Sequence, residues 1–274
     1  MPVAVTFHHD FGICGHMVLK DRIGPSFAAL APLIDDGKID VYTPEIKKEH
    51  IGLIEQIHTR RHIDEVKSSG LYEIALLSVA SVVSAADMLA QGQYGTAFAY
   101  VGAAGHHASR MGFWGFCYFN DVAAAIFKLR AAGYQKFLIL DVDPHFGDGT
   151  RNLFEKDNSV IHINFDTSTS NRFDELNKNF DYGLGVCQDK QFLKAIEDSL
   201  RPEFEFEIMI VIFGHDSHVW DYGGFQLTFA AYPQLALRVK EYAGNKPLLW
   251  VLSGGSNPEV AKQAIPDILK VLSE

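Results

Sequence analysis

The 274-residue chain is 47% hydrophobic and 21% charged, enough apolar material for one large core, and no linker-like stretch divides it. Its formal net charge of -10 disfavours a phosphate-tracking surface, because nucleic-acid binders cluster Lys and Arg on one face; cationic partners suit it better. Cys14, Cys117 and Cys187 stand far apart with no C-x-x-C pair, which argues against a disulfide framework or a thiolate zinc knuckle and for a reducing, cytoplasmic setting.

The opening "MPVAVTFHHDFG" lacks the basic n-region and apolar length of a signal peptide. No apolar stretch of roughly 18 residues is expected downstream, so a chain without a membrane partner is expected. From Pro44 to Leu89 the pattern is helical and is expected to pack outside the sheet, with "ALLSVASVVSAADMLA" at its end. Short β-rich apolar runs then alternate with helical segments. "AFAYV" (97 to 101) precedes the helix "DVAAAIFKLRAAG", and "FLIL" (137 to 140) and "VIHINF" (160 to 165) follow as strands. "KQFLKAIEDSL" is helical, "IMIVIF" (208 to 213) a strand, "FAAYPQLALRVKEYAG" a helix, "LLWVL" (248 to 252) a strand and "PEVAKQAIPDILKVL" a final helix. Gly133 and Gly244 sit where a glycine would stop a helix. Alternation of this kind predicts one α/β domain over residues 1–274, three-layered α/β/α, with a mostly parallel central sheet covered on both faces.

In open α/β sheets, ligands settle at the carboxyl ends of strands. Here "FLIL" runs into "DVDPHFGD", "IMIVIF" into "GHDSH", "LLWVL" into "SGGSN", and "AFAYV" is followed by "GAAGHHASRMGFWGFCYFND". A strand continuing past Leu140 would send Asp141, Asp143 and His145 to one side. Carboxylates so close repel and raise one another's pKa, and a bound cation removes the problem. Carboxylate plus imidazole suits zinc, iron or manganese, and the lack of thiolates argues against a purely structural zinc. The competing structural reading is a solvated turn with a helix N-cap at Asp148. Asp216, after another strand, favours the metal. If Asp143, His145 and Asp216 hold it, Asp141 and Asp148 are free to orient the adjacent imidazoles of His106 and His107.

The segments "GHHAS", "GFCYFNDVAAA", "LDVDPHFGDGT" and "GHDSHVWDYGGFQLT" resemble, in order and spacing, the signatures of the zinc-dependent histone deacetylase and acetylpolyamine amidohydrolase family, which has the arginase-deacetylase fold. "HHDFGICGHM" and "LLWVLSGGSN" extend the likeness over nearly the whole chain. The resemblance implies zinc, with Fe2+ as an alternative, on Asp143, His145 and Asp216. It implies His107 as general base paired with Asp148, and His106 paired with Asp141 as second proton donor or electrostatic partner. Gly115 and Phe116 would wall an acyl-lysine tunnel. A structural potassium or sodium ion would use Asp141 and main-chain oxygens of Asp143 and His145, with Asn164 as a further contributor. The implied substrate is a small-molecule or peptide acyl-amine.

The chain also departs from the family. Active members end a glycine-rich loop in a tyrosine that donates to the developing oxyanion, whereas "SGGSNPEV" places Ser256 or Asn257 there. Asn257, or a tyrosine such as Tyr222 from elsewhere, is the candidate replacement. Phe146 and Pro144 replace usual residues, and "NFDTSTSNRFDELNKNF" is short and lacks the glycine-rich substrate loop, leaving Phe173 and Phe180 as candidates for the second tunnel wall. Trp114, Tyr118 and Phe119 are expected in the core, and His8, His9 and His16 near the site or on the surface. Three readings follow: a zinc hydrolase of acyl-amines with weak amide activity or an atypical substrate, an acyl-binding pseudoenzyme, and a two-metal ureohydrolase drawing on His218.

Overall fold

The computed structural model describes residues 2–274. Nine strands, β1 (Val3–Thr6), β2 (Ile39–Tyr42), β3 (Thr96–Ala99), β4 (Phe137–Asp141), β5 (Val160–Asp166), β6 (Arg172–Asp174), β7 (Asn179–Gly183), β8 (Ile208–Phe213) and β9 (Leu248–Leu252), form one sheet. Their order is β2-β1-β3-β9-β8-β4-β5-β7-β6, and every pair is parallel except the antiparallel β6–β7 edge. Strands β4, β8 and β9 are buried at every position, as apolar runs must be when helices cover both faces of a parallel sheet.

Helices Lys48–Ile57, Arg60–Ser68, Tyr72–Ala90 and Asp121–Ala131 pack on one another, and helices Ile23–Ala28, Ala231–Ala243 and Pro258–Ser273 form a second group. Helices stop near the two expected glycines: Gly133 has φ 105° two residues past Ala131, and Gly244 caps its helix at φ 59°. The sheet positions the chemistry directly, because β3, β9, β8 and β4 are consecutive neighbours and each feeds one polar loop to the same edge.

Several expectations are corrected. Strands β1, β2, β6 and β7 were not anticipated: β1 and β2 are only four residues long, the three residues of edge strand β6 are all exposed, and Asp181 is buried on β7 through its ion pair with Arg151 at 2.6 Å. Strand β3 ends at Ala99, so Tyr100 and Val101 lie beyond it. Helix Tyr72–Ala90 does offer 19 residues, long and apolar enough to cross a membrane. In this fold it is a core helix, mostly buried, packed on β1, β3 and helix Asp121–Ala131. Phe180 is buried on β7 and Phe173 lies on the outer strand β6; neither lines the pocket described below, because the β6–β7 edge is separated from β8 by β4 and β5.

Candidate active site

Strand β4 ends at Asp141, so Asp143 and His145 are brought inward by a bend rather than by strand alternation. The bend is self-supporting: Asp143 N donates to Asp141 Oδ1 at 3.2 Å, and His145 N to Asp143 Oδ1 at 3.1 Å. Asp216 stands in the single 3-10 turn His215–Ser217 that follows β8. One donor atom from each of Asp143, His145 and Asp216 lies within 4.8 Å of the others. The imidazole Nδ1 of His145 is 2.9 Å from Asp143 Oδ1 and 3.2 Å from Asp216 Oδ2.

These residues fit a cation. Both Asp216 oxygens are buried, and His145 Nδ1, which Asp143 Oδ1 also holds, approaches one of them at 3.2 Å; a cation would satisfy this carboxylate more fully. Burial and the Asp143 charge push the Asp216 carboxyl up to about 7. Hydrogen bonds to Asp143 and Asp216 push His145 up to about 10. Gly254 makes the approach: a side chain there would collide with the carboxylates of Asp216 and Asp143, and its N–H donates to Asp143 Oδ2 at 2.9 Å.

The paired histidines follow β3 in a loop anchored from behind. Asn120 caps helix Asp121–Ala131 through Ala123 N and donates to Ala108 O at 3.1 Å, and His58 joins the loop's two ends through Ser109 O and Asn120 N. His106 Nδ1 is 3.0 Å from Asp141 Oδ2, and His107 Nδ1 is 2.7 Å from Asp148 Oδ1. Burial pulls His106 down, but Asp141 and Asp143 outweigh it and hold the imidazole at about 9. Burial and the His106 charge push His107 down to about 4. At neutral pH one ring is charged and its neighbour is a free base, from different environments on adjacent residues. Burial would raise Asp148, yet hydrogen bonds from His107 and Trp114 outweigh it and hold the carboxyl below its usual range. Asp148 is the first residue of its short helix rather than its cap, which is Gly147.

A cavity of about 250 Å³ collects His106, His107, Gly115, Phe116, Asp143, His145 and Asp216 on its walls, while Asp141 and Asp148 hold the histidines from outside. Gly115 adopts φ 64° and passes beside the His107 ring, where a side chain would be strained. Trp114, expected in the core, is 52% exposed and lines the cavity, stacked on His107. Tyr118 and Phe119 are buried as expected. The wall facing Phe116 is Tyr222, with ring centroids 5.9 Å apart and nearly perpendicular, which occupies the place sought among Phe173 and Phe180. Burial and the Asp216 and Asp143 charges push the Tyr222 phenol well above its usual range. His16 tilts against Phe116 at 4.8 Å, whereas His218 packs on Phe229 and accepts from Trp220 N, away from the three ligands. His8, His9 and Asp10 form a separate, partly exposed cluster. Asn164 Oδ1 accepts from Gly147 N at 2.9 Å.

Residues that the sequence did not reveal hold the glycine-rich turn. Arg22, fully buried, donates to the carbonyls of Gly254 and Ser253. Asp221 accepts from Ser256 N, Ser256 Oγ and Asn257 N, all at 2.9 Å. Asn257 Oδ1 caps the last helix through Glu259 N, and its Nδ2 donates to Trp220 O at 3.1 Å. Arg22 sits among ordinary helix residues with no motif around it; Asp221 lies in "WDYGGF", close enough to Asp216 to have been suspected.

Fold and pocket together define an α/β domain with a candidate cation site and two His–Asp pairs at the carboxyl edge of a parallel sheet. Residues 40–272 match the histone deacetylase domain, and the chain belongs to that family. It is 30% identical over 264 residues to histone deacetylase 5 of Arabidopsis thaliana, covering 83% of this chain and 40% of that protein. With the acetylpolyamine amidohydrolase of Mycoplana ramosa it shares 31% identity over 222 residues, 74% of this chain and 64% of the other. The crystal structure of the HDA15 HD domain superposes with a TM-score of 0.87 at 23% identity, covering 100% of this chain and 90% of that one, which shows the shared fold. The chain thus spans less than two thirds of the length of these curated relatives.

Proposed function

We propose that the chain is a zinc-dependent hydrolase that removes an acyl group from an acylated amine of the lysine or polyamine type. The observation that carries this reading is the meeting of Asp143, His145 and Asp216 with both His–Asp pairs around one cavity. Two carboxylates and one imidazole leave coordination positions for water and substrate, as in catalytic zinc sites, and Fe2+ suits the same donors. When bound, the ion would supply the positive charge that polarises the acyl carbonyl and acidifies water. A monovalent cation beside the fully buried Asp141 belongs to the same reading, supported by that carboxylate's burial.

The chain's own groups do the rest. His107, held by Asp148 through Nδ1, leaves Nε2 to take the proton of water as its oxygen adds to the acyl carbon. As the C–N bond breaks, nitrogen keeps the bonding pair and receives that proton, giving a carboxylic acid and a free amine. His106, charged and locked to Asp141, holds positive charge beside His107 and keeps it a neutral base before reaction. The net charge of -10 supports a cationic amine as leaving group.

The test is acid release from an acetyl-lysine peptide and from an acetylated polyamine by the zinc-loaded chain. Turnover that disappears in Asp143→Asn is expected; full zinc stoichiometry without release from any acyl-amine overturns the reading. A second reading, an acyl-binding protein without turnover, draws on Ser256 and Asn257, whose side-chain donors point to Asp221 and Trp220. In that case a hydroxamate binds the zinc-loaded chain while no substrate is consumed.

A further inference from the structure

We propose that Tyr222 is a catalytic residue of this pocket, its phenol donating a hydrogen bond to the acyl oxygen as negative charge gathers there. The inference rests on the hydrolase reading above and adds to it the identity of a donor.

Tyr222 neighbours a candidate metal ligand and the aromatic residue opposite it, its ring 5.9 Å from His145 and 5.9 Å from Phe116. It lines the same cavity as Asp143 and Asp216. The phenol oxygen accepts from Gly255 N at 3.1 Å, and among the described residues no protein group takes its own proton. An accepted hydrogen bond polarises the hydroxyl and strengthens what it donates. Its neighbours hold it still: Asp221 N donates to His218 O and Gly223 N to Asp216 O, both at 2.9 Å, while the Asp221 carboxylate clasps the Ser256–Asn257 backbone. A donor fixed before reaction requires no reorganisation when charge develops.

The other hydroxyl and amide groups nearby are committed or sealed. Ser256 Oγ donates to Asp221 Oδ1 and Asn257 Nδ2 to Trp220 O, and Ser253 Oγ is shut off from solvent although its residue borders the cavity. That leaves the phenol as the side-chain hydroxyl free to meet a carbonyl oxygen in the cavity.

The experiment compares wild type with Tyr222→Phe and Tyr222→His, each zinc-loaded, in kcat, KM and the affinity for a trifluoromethyl ketone analogue of acyl-lysine, whose hydrate carries the tetrahedral oxygen. Zinc content and thermal melting check folding. In Tyr222→Phe, kcat is expected to fall roughly 100- to 1000-fold with KM within about threefold, and ketone binding to weaken far more than substrate binding. Tyr222→His, which keeps a donor, recovers part of both. A folded, zinc-loaded Tyr222→Phe protein with kcat and ketone affinity within about threefold of wild type overturns the proposal and leaves the hydrolase reading standing. Wild type that neither turns over nor binds the ketone overturns both.

Discussion

The indole of Trp114 lies on the imidazole of His107, centroids 3.7 Å apart and planes within 29°, and donates Nε1–H at 2.9 Å to the second oxygen of the carboxylate that holds His107. One tryptophan therefore covers the base and shares its partner. Stacking keeps water from the ring and lowers its basicity; the indole donation steadies the Asp148 charge and makes that carboxylate a weaker acceptor for His107.

Replacing Trp114 should make His107 more basic. In Trp114→Phe the stack survives and the donation is lost; in Trp114→Ala both are lost and the ring is wetted. The His107 titration, followed by ring NMR signals, is expected to move up from about 4, by less in the phenylalanine variant than in the alanine variant. A downward movement, or none in either protein, would contradict this account.

Asp216 is expected to strain the metal-free chain and to serve the zinc-loaded one. Its carboxylate is buried beside Asp143, whose charge helps push it up to about 7, so Asp216→Asn removes like-charge repulsion. The metal-free variant is expected to melt no lower than wild type. Added zinc should raise the wild-type melting temperature by mass action, while the variant shows little or no rise. Calorimetry of both proteins with and without zinc checks the pair of outcomes.

Asp221 holds the turn that carries Gly254 and Gly255. The carboxylate is 1% exposed and accepts three hydrogen bonds from Ser256 and Asn257, with His215 Nδ1 at 3.2 Å. Asp221→Ala is expected to cost about 3 kcal/mol in unfolding free energy, because buried donors lose a charged acceptor. Urea unfolding measures it, and a loss under about 1 kcal/mol would show that the turn holds without this clasp.

His58 gives a pH signature away from the candidate metal site. Burial and the neighbouring His62 push it down to about 3, against roughly 6.5 in an unfolded chain. Above 6.5 both states leave it neutral. Between 6.5 and 3 the unfolded chain binds a proton that the folded chain refuses, so this residue makes stability decline as pH falls. His58→Gln is expected to flatten the measured dependence of stability on pH in that window by up to about 1.4 kcal/mol per pH unit.

The central strands and the candidate ligands were legible because their signals are local. "FLIL", "IMIVIF" and "LLWVL" are apolar at every position, as strands covered on both faces must be, and the D-x-D-x-H run and the tandem histidines are short spacings read directly from the chain. Edge strands β2 and β6 were missed because four and three residues are too few for a periodic signal. Trp114 was misassigned because an aromatic run reads as core until its surroundings are known. Arg22 gave no signal at all, since its partners are the carbonyls of Ser253 and Gly254, 231 and 232 residues away in the chain.

By itself the sequence determined an alternating α/β chain and its buried strands, and it offered the candidate carboxylates and imidazoles, because side-chain type and short-range spacing are properties of the chain alone. Only the tertiary structure decided that β3, β9, β8 and β4 lie side by side, that Tyr222 faces Phe116 across the cavity, and that Asn257 and Ser256 are turned to other partners. Those outcomes depend on strand order and on backbone direction in loops, which are set by packing between segments far apart in the chain.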